Sequence, residues 1–142
     1  MTNEAKINSS FVIVQPGGLG TYRSNVPAFT ANVVGSEGPS PGGVLITTAG
    51  ISVSFTPLTT PALCELINYD PTNYFEWGVW DSVHSEFIPI GEVLPGEGYI
   101  VRLSRRLGYV EGLGTGTTGS GVTLRLKAHT ASINGYCGAF QA

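Results

Sequence analysis

The sequence predicts an all-β fold: an antiparallel β-sandwich, jelly-roll or immunoglobulin-like, with eight or nine short strands. The first observation is composition, since the chain has 20 Gly and 9 Pro in 142 residues. The second is that 42% of residues are hydrophobic, which suffices for a packed core. The third is patterning, because short apolar or alternating runs recur about every 10–12 residues and the 3.6-residue spacing of helices is absent.

The N-terminal half begins with the β-branched run Phe11–Val14 and continues with a predicted strand at Val26–Val34. The segment Gly35–Gly43 is rich in Gly, Pro and Ser, so we predict a loop there. The runs Val44–Thr48 and Ile51–Phe55 then flank Ala49-Gly50, which is the spacing of a hairpin with a two-residue turn.

The C-terminal half contains six further segments with strand character. Pro95-Gly96 predicts a type II turn within Leu94–Gly98, with Gly at the third turn position. After it, Tyr99, Val101 and Leu103 share one face of a strand. These segments are Ala62–Tyr69, the aromatic-rich Tyr74–Trp80, the short Phe87–Ile90, Tyr99–Ser104, Val122–Lys127 and Ile133–Phe140.

Length predicts one domain over residues 1–142, with a disordered segment at residues 1–8. That segment has no hydrophobic stretch typical of a signal peptide, and no apolar run approaches the ~18 residues of a membrane span. We therefore expect synthesis in a cytosol and no membrane partner.

Charge is low and unevenly distributed. Charged residues are 12% of the chain and the net charge is -3, which argues against nucleic acid as a partner. No Lys or Arg occurs from Ser24 to Val101, and seven acids lie within that range from Glu65 to Glu97. Arg102, Arg105 and Arg106 follow. Either folding interleaves these signs on adjacent strands, or they form complementary faces between neighbouring chains.

Catalytic and cofactor motifs are missing. The glycine-rich loop Gly112–Gly121 lacks the Lys of a phosphate-binding loop. His84 and His129 have no partner at metal-ligand spacing, and Cys64 and Cys137 are predicted to be free thiols. The acid pairs Glu76/Asp81 and Glu92/Glu97 carry no sign of facing each other across a cleft. We expect no enzyme activity, no cofactor and no metal.

Aromatic residues are most concentrated around two tryptophans. Trp77 and Trp80 are three residues apart, so a regular strand directs them to opposite faces. An outward Trp fits a protein interface or sugar stacking, and the alternative is a Trp beneath the Asp81–Glu86 loop.

The segment Leu66–Gly78 resembles the signature N-L-D-x-T-N-Y-V-E-x-G, and Phe87–Glu97 resembles the F-x-P-L-G-x-L-x-P-G-E that follows it. Val101-Arg102-Leu103 is similar to the final x-R-L. These motifs resemble small β-proteins encoded by tailed bacteriophages and prophage-like regions. Tyr69 stands where that signature usually has Leu.

The resemblance implies a non-enzymatic virion protein, for which a capsid decoration (cement) protein bound to the major capsid protein is our first hypothesis. Threefold positions on an icosahedral shell favour a homotrimer. The alternatives are a tail or head–tail accessory protein and a carbohydrate-binding module that attaches to a host glycan. The candidate interface residues are Tyr74, Trp77, Trp80, Arg102, Arg105 and Arg106.

Overall fold

The computed structural model describes residues 3–7, 10–14, 21–25, 29–33, 39–55, 58, 61–104 and 122–141. The chain divides into two compact units, Met1–Val34 and Gly35–Ala142. Every regular element in these ranges is a strand, which confirms the predicted all-β class. Within the same ranges no helix is long and apolar enough to cross a membrane.

The first unit contains four five-residue strands, and the paired ones run antiparallel. They are β1 (Asn3–Ile7), β2 (Ser10–Val14), β3 (Thr21–Asn25) and β4 (Phe29–Val33). β1 pairs with β4 and β2 pairs with β3. Residues 3–7 lie within the segment expected to be disordered, and in the structure they form β1 because β4 supplies backbone partners that a local pattern cannot reveal.

The second unit contains eight strands in its described part. They are β5 (Ser40–Ile46), β6 (Ile51–Ser52), β7 (Pro61–Asn68), β8 (Phe75–Asp81), β9 (Glu86–Val93), β10 (Gly98–Arg102), β11 (Val122–Ala128) and β12 (Ile133–Gln141). They form two antiparallel four-stranded sheets. We call β10-β7-β12-β5 the first sheet and β6-β11-β8-β9 the second sheet.

One buried apolar cluster lies between these sheets. The first sheet contributes residues such as Leu66 and Cys137, and the second contributes Phe75 and Leu126, all with no exposed surface. Burial of each large apolar side chain contributes about 1.5–3 kcal/mol to folding. The unit is therefore a β-sandwich.

The strand order is that of a jelly roll. Going along the described strands from β5, every connection crosses from one sheet to the other except that between β8 and β9. Those two form an antiparallel hairpin with a register shift between Trp77 and Gly78. Of the two sandwich topologies that the sequence left open, this order matches the jelly roll.

The predicted hairpin at Ala49-Gly50 is wrong, although the turn exists. The amide of Gly50 donates to the carbonyl of Thr47 over 3.0 Å, and Gly50 has a φ of 85°. The flanking strands then separate, because β5 pairs with β12 while β6 pairs with β11. The spacing of residues around a turn cannot show that each flanking strand pairs with a strand farther along the chain.

The predicted loop Gly35–Gly43 is also too long. Residues 40–43 belong to β5, where Ser40 is opposite Ala139 and Gly43 is opposite Tyr136. Glycine and proline form strands poorly alone, so β12 imposes this conformation. The structure confirms the six C-terminal strands within a few residues, with β9 the most extended relative to its prediction.

Candidate functional site

A corner at the end of β7 is held by one buried amide. Asn68 is 1% exposed, and its Nδ2 donates to the carbonyls of Asn73 and Val93 over 2.8 and 3.0 Å. Its Oδ1 accepts the amide of Asp70 over 2.9 Å. The side chain thus joins β7, the following turn and the end of β9.

The turn after Asn68 is closed by a carboxylate. Asp70 Oδ1 accepts the backbone amides of Thr72 and Asn73 over 2.8 and 2.6 Å, and it accepts both of their side chains as well. The amide of Asn73, then that of Thr72, holds the pKa of Asp70 below its usual value. This is an Asx-type turn, in which the side chain replaces backbone partners.

The second part of the signature forms a turn that meets this corner. The amide of Glu97 donates to the Leu94 carbonyl over 3.0 Å, and Gly96 between them has a φ of 75°. The backbone of Asn68 also bonds to this turn. Its N–H donates to the Glu97 carbonyl, and its carbonyl accepts from the Gly96 N–H. The two parts of the signature therefore build one scaffold corner, and Pro95-Gly96 turns the chain as predicted.

Tyr74 joins the same corner to the end of β11. Its ring stacks on His129 with centroids 4.6 Å apart and an angle of 20° between the planes. The amide of His129 donates to the Tyr74 carbonyl over 3.2 Å, and Thr130 Oγ1 donates to Asn73 Oδ1 over 2.5 Å. These contacts give Tyr74 a structural role.

The two tryptophans lie on opposite faces of β8. Trp77 packs against the core. Its indole lies close against Gly91, where an added Cβ would be only 2.7 Å from the indole Nε1. Trp80 is on the outer side of the second sheet, with the Arg125 guanidinium carbon 4.0 Å from the ring centroid. Because a cation covers one face of Trp80, a sugar could stack only on the other face.

The outer side of the second sheet carries charges of both signs. Lys127 is opposite Glu76, and Glu76 is opposite Glu92 on the next strand. Lys127 Nζ also lies 5.9 Å from the ring centroid of Phe87. Basic and acidic residues from distant parts of the sequence therefore meet on adjacent strands of one chain, which is a pattern typical of a solvated face.

The four predicted interface residues that the structure describes lie in different places. Tyr74 lies at the corner, Trp77 in the core and Trp80 on the outer side of the second sheet. Arg102 is exposed on β10 of the first sheet. Arg105, Arg106 and the loop Gly112–Gly121 lie outside the described residues.

Sequence reasoning missed an apolar surface on the outer side of the first sheet. Leu66 and Cys137 point into the core, so the alternating neighbours Ile67 and Tyr136, which are directly opposite each other, point outward. The consecutive pairs Leu45-Ile46 and Leu66-Ile67 were the available signal, because such pairs place apolar side chains on both sides of a sheet. We call this surface the apolar face: Leu45, Ile67, Tyr69, Ile100 and Tyr136.

The titratable groups are dispersed over the described residues. Glu76 and Asp81 lie at opposite ends of β8, about 16 Å apart along the strand, beyond the spacing of glycosidase carboxyl pairs. His84 Nδ1 contacts Asp81 Oδ2 over 2.5 Å in an exposed turn, and this bond raises the pKa of His84. No group of three His, Cys, Asp or Glu side chains in the described ranges could hold a metal ion.

The two cysteines are buried neighbours on β7 and β12. Their Sγ atoms are 3.5 Å apart, within hydrogen-bond distance and not joined in a disulfide, so both are free thiols, as predicted. The hydrogen bond to Cys64, followed by burial, raises the pKa of Cys137. A thiol with a raised pKa is a poor nucleophile.

Comparisons with known proteins give no match. No protein family model matches this sequence. No curated protein matches it either. Its fold finds no match among solved structures. The functional argument therefore depends on the fold, the corner and the two outer sheet surfaces.

Proposed function

We propose that this chain is a non-enzymatic structural protein of a bacteriophage virion, and specifically a decoration protein that stabilises the capsid exterior. The observation that carries the proposal is the corner around Asn68. The signature that resembles phage structural proteins directs its polar groups at the chain's own backbone, as a scaffold motif does. The jelly roll is a frequent architecture of viral capsid proteins, which supports the same assignment by analogy.

The partner in this proposal is the major capsid protein, and the assembled form is a homotrimer at threefold positions of the shell. In such a trimer Arg102, together with Arg105 and Arg106, lies near acids of an adjacent chain. Exposed ion pairs are screened within about 8–10 Å at physiological ionic strength, so the trimer should weaken as salt rises. Light scattering at low and high salt tests this, with Arg105→Glu/Arg106→Glu beside the unaltered chain.

Electron microscopy of particles from the phage that encodes the chain tests the virion role. We expect many copies distributed over the shell, and particles lacking the chain should rupture at lower temperature until purified protein is added back. A few copies confined to the tail or to one vertex would favour the tail or head–tail accessory function. Particles that contain no copy would contradict both assignments.

Carbohydrate binding is the second candidate, because Trp80 and Phe87 lie beside basic side chains on the outer side of the second sheet. A glycan array tests it with Trp80→Ala and with Tyr99→Ala, an exposed aromatic on the first sheet, as the matched control. Strong sugar binding that is lost only with Trp80→Ala would favour host attachment over the cement function.

A further inference from the structure

Three of the four edge strands in the described part of the second unit carry features that hinder pairing with another chain. β6 has only two residues, and β9 contains Pro89 between Glu86 and Glu92. The first four residues of β5 include a proline and two glycines. Very short strands, proline and charged side chains protect a sheet edge, and glycine is depleted in strands. β10 lacks proline and acids, and its one charge is at its last residue, Arg102.

The fourth edge strand, β10, is exposed and rich in residues that favour strands. Tyr99 is 42% exposed and Ile100 is 51% exposed. Gly98 and Arg102 are exposed as well, and Val101 is half-buried. Aromatic and β-branched residues are enriched in strands. An exposed apolar edge strand of this kind is a template for pairing with another chain.

Hydrogen bonds show which backbone groups of β10 face outward from the sheet. The N–H of Leu103 donates to a carbonyl of β7 over 2.7 Å, and the Glu97 carbonyl accepts an N–H of β7 over 2.9 Å. Residues of an antiparallel strand direct their N–H and C=O groups to alternate sides. The groups of Gly98, Ile100 and Arg102 therefore point away from β7, where the described residues include no further strand of this sheet.

We propose that β10 pairs antiparallel with β10 of a second copy of this chain, about a two-fold axis beside Ile100. An axis perpendicular to the sheet keeps its two sides in place, so each residue must lie opposite one that points to the same side. With Ile100 opposite itself, Gly98 is opposite Arg102, and these residues exchange both of their backbone hydrogen bonds. With Tyr99 opposite itself, Arg102 would be opposite Gly96, which lies in a turn.

The side chains in this register favour a second copy over an unrelated strand. Tyr99 of each copy lies opposite Val101 of the other, and aromatic residues beside β-branched ones stabilise antiparallel pairs. Arg102 lies opposite Gly98, which has no side chain to obstruct it, and no like charges face each other. The pairing uses the backbone of Arg102, so its side chain remains available for the threefold contact proposed above. The pairing does not depend on the virion role, and on a shell it would join chains of neighbouring trimers.

Sedimentation and hydrogen exchange over a concentration series test the proposal. The paired segments are short, so we expect association only toward the order of 100 µM, with the mass doubling where the dilute protein is a monomer. The N–H groups of Gly98, Ile100 and Arg102 should exchange more slowly as the mass rises. Those of Tyr99 and Val101 should be protected already in dilute protein, because they face β7.

Two variants at position 100 separate backbone pairing from the loss of a side chain. Ile100→Pro removes the central N–H, which does not face β7, and should weaken association at least about tenfold. Ile100→Ala keeps that N–H and is the matched control, so its effect should be clearly smaller. Far-UV circular dichroism and melting temperature confirm the folding of each variant.

A charge exchange tests the two-fold axis. Ile100→Glu places two acids opposite each other across the axis, and Ile100→Lys places two bases there, so each variant alone should associate more weakly. Because Glu65 is opposite residue 100 within each chain, Ile100→Glu should be the weaker of the two. An equal mixture of both variants should associate more tightly than either alone. Ile90→Glu, at a similarly exposed position of the edge strand β9, is the control and should leave association unchanged.

A constant mass at all concentrations would overturn the proposal. This includes the case in which the Ile100 N–H is protected already in dilute protein because another segment covers the edge. An Ile100→Pro variant that associates as tightly as Ile100→Ala, a mixture no tighter than Ile100→Glu alone, or an equal effect of Ile90→Glu would overturn it as well.

Discussion

Asn68 shows how one side chain can connect three segments of an all-β protein. Its amide nitrogen and oxygen are all used by backbone groups, at distances of 2.8 to 3.0 Å, in a buried site. A buried polar group with complete hydrogen bonding stabilises the fold, whereas the same group with a partner removed is costly. The identity of the residue therefore matters more than its size.

Asn68→Asp keeps the shape and removes both donors. A carboxylate would face the carbonyls of Asn73 and Val93, so we expect the free energy of unfolding to fall by about 2–4 kcal/mol. Urea denaturation measures it. Asn134→Asp, at an exposed position of β12, is the control and should change it by less than about 0.5 kcal/mol. Equal stability of the two variants would contradict the role of Asn68.

Asp70 should make part of the stability depend on pH. Its pKa in the folded chain is lowered from 3.8, so its contribution is present above 3.8 and is lost as pH falls through the folded value. Asp70→Asn retains an acceptor but no charge. We expect the melting temperature of this variant to be lower than that of the unaltered protein near neutral pH. In strong acid the two melting temperatures should become equal. A difference that persists unchanged in acid would show that charge is not involved.

At the scale of strands, β8 and β9 are held in register by a glycine. The register of this hairpin shifts next to Gly78, and a Cβ there would enter the backbone of the partner strand, 2.8 Å from the Cα of Pro89. Backbone atoms in a sheet cannot rotate aside as a side chain can. The close approach of the two strands therefore requires glycine.

Gly78→Ala should lower the free energy of unfolding by about 2–3 kcal/mol, because overpacking forces the backbone to shift. Gly43→Ala is the matched control: it lies within β5, and its Cβ would meet open space. Chemical denaturation of both variants provides the comparison. If Gly43→Ala is as destabilising as Gly78→Ala, the close approach of β8 and β9 does not explain the loss of stability.

The thiols on β7 and β12 should be inert in the folded protein. Cys64 and Cys137 are buried, and their sulfur atoms, 3.5 Å apart, are not joined in a disulfide. A thiol reagent should label neither cysteine until the chain is unfolded. Reducing agent should leave the melting temperature unchanged, and a drop of several degrees would reveal a disulfide.

At the scale of the whole molecule, the jelly-roll order makes almost every strand of the second unit depend on distant partners. Val44 pairs with Gly135 and Leu63 with Phe140, so the first sheet forms only when the two ends of this unit meet. Folds with such non-local pairing form slowly compared with helical proteins of the same size.

Far-UV circular dichroism of the purified protein should show a β signal with negligible helix. The described residues contain strands and turns but no helix, and the alternating patterns of the sequence favour the same outcome. A helix content above about a quarter would contradict the fold assignment.

The sequence by itself determined the all-β class, the free thiols and the local geometry of the corner. These depend on short-range chemistry: Asp70 bonds residues two and three positions later, and Pro95-Gly96 sets its own turn. The opposite placement of Trp77 and Trp80 also follows from alternation along one strand.

Only the tertiary structure decided which sheet each strand joins. Alternation shows that two residues point to opposite sides, but pairing with a strand many residues away decides which side is the core. For this reason the hairpin at Ala49-Gly50 was wrong and Ser40–Gly43 became part of β5. For the same reason Tyr74, Trp77 and Trp80 lie in different places. Ile67, Ile100 and Tyr136 meet on a face that no single segment of sequence reveals.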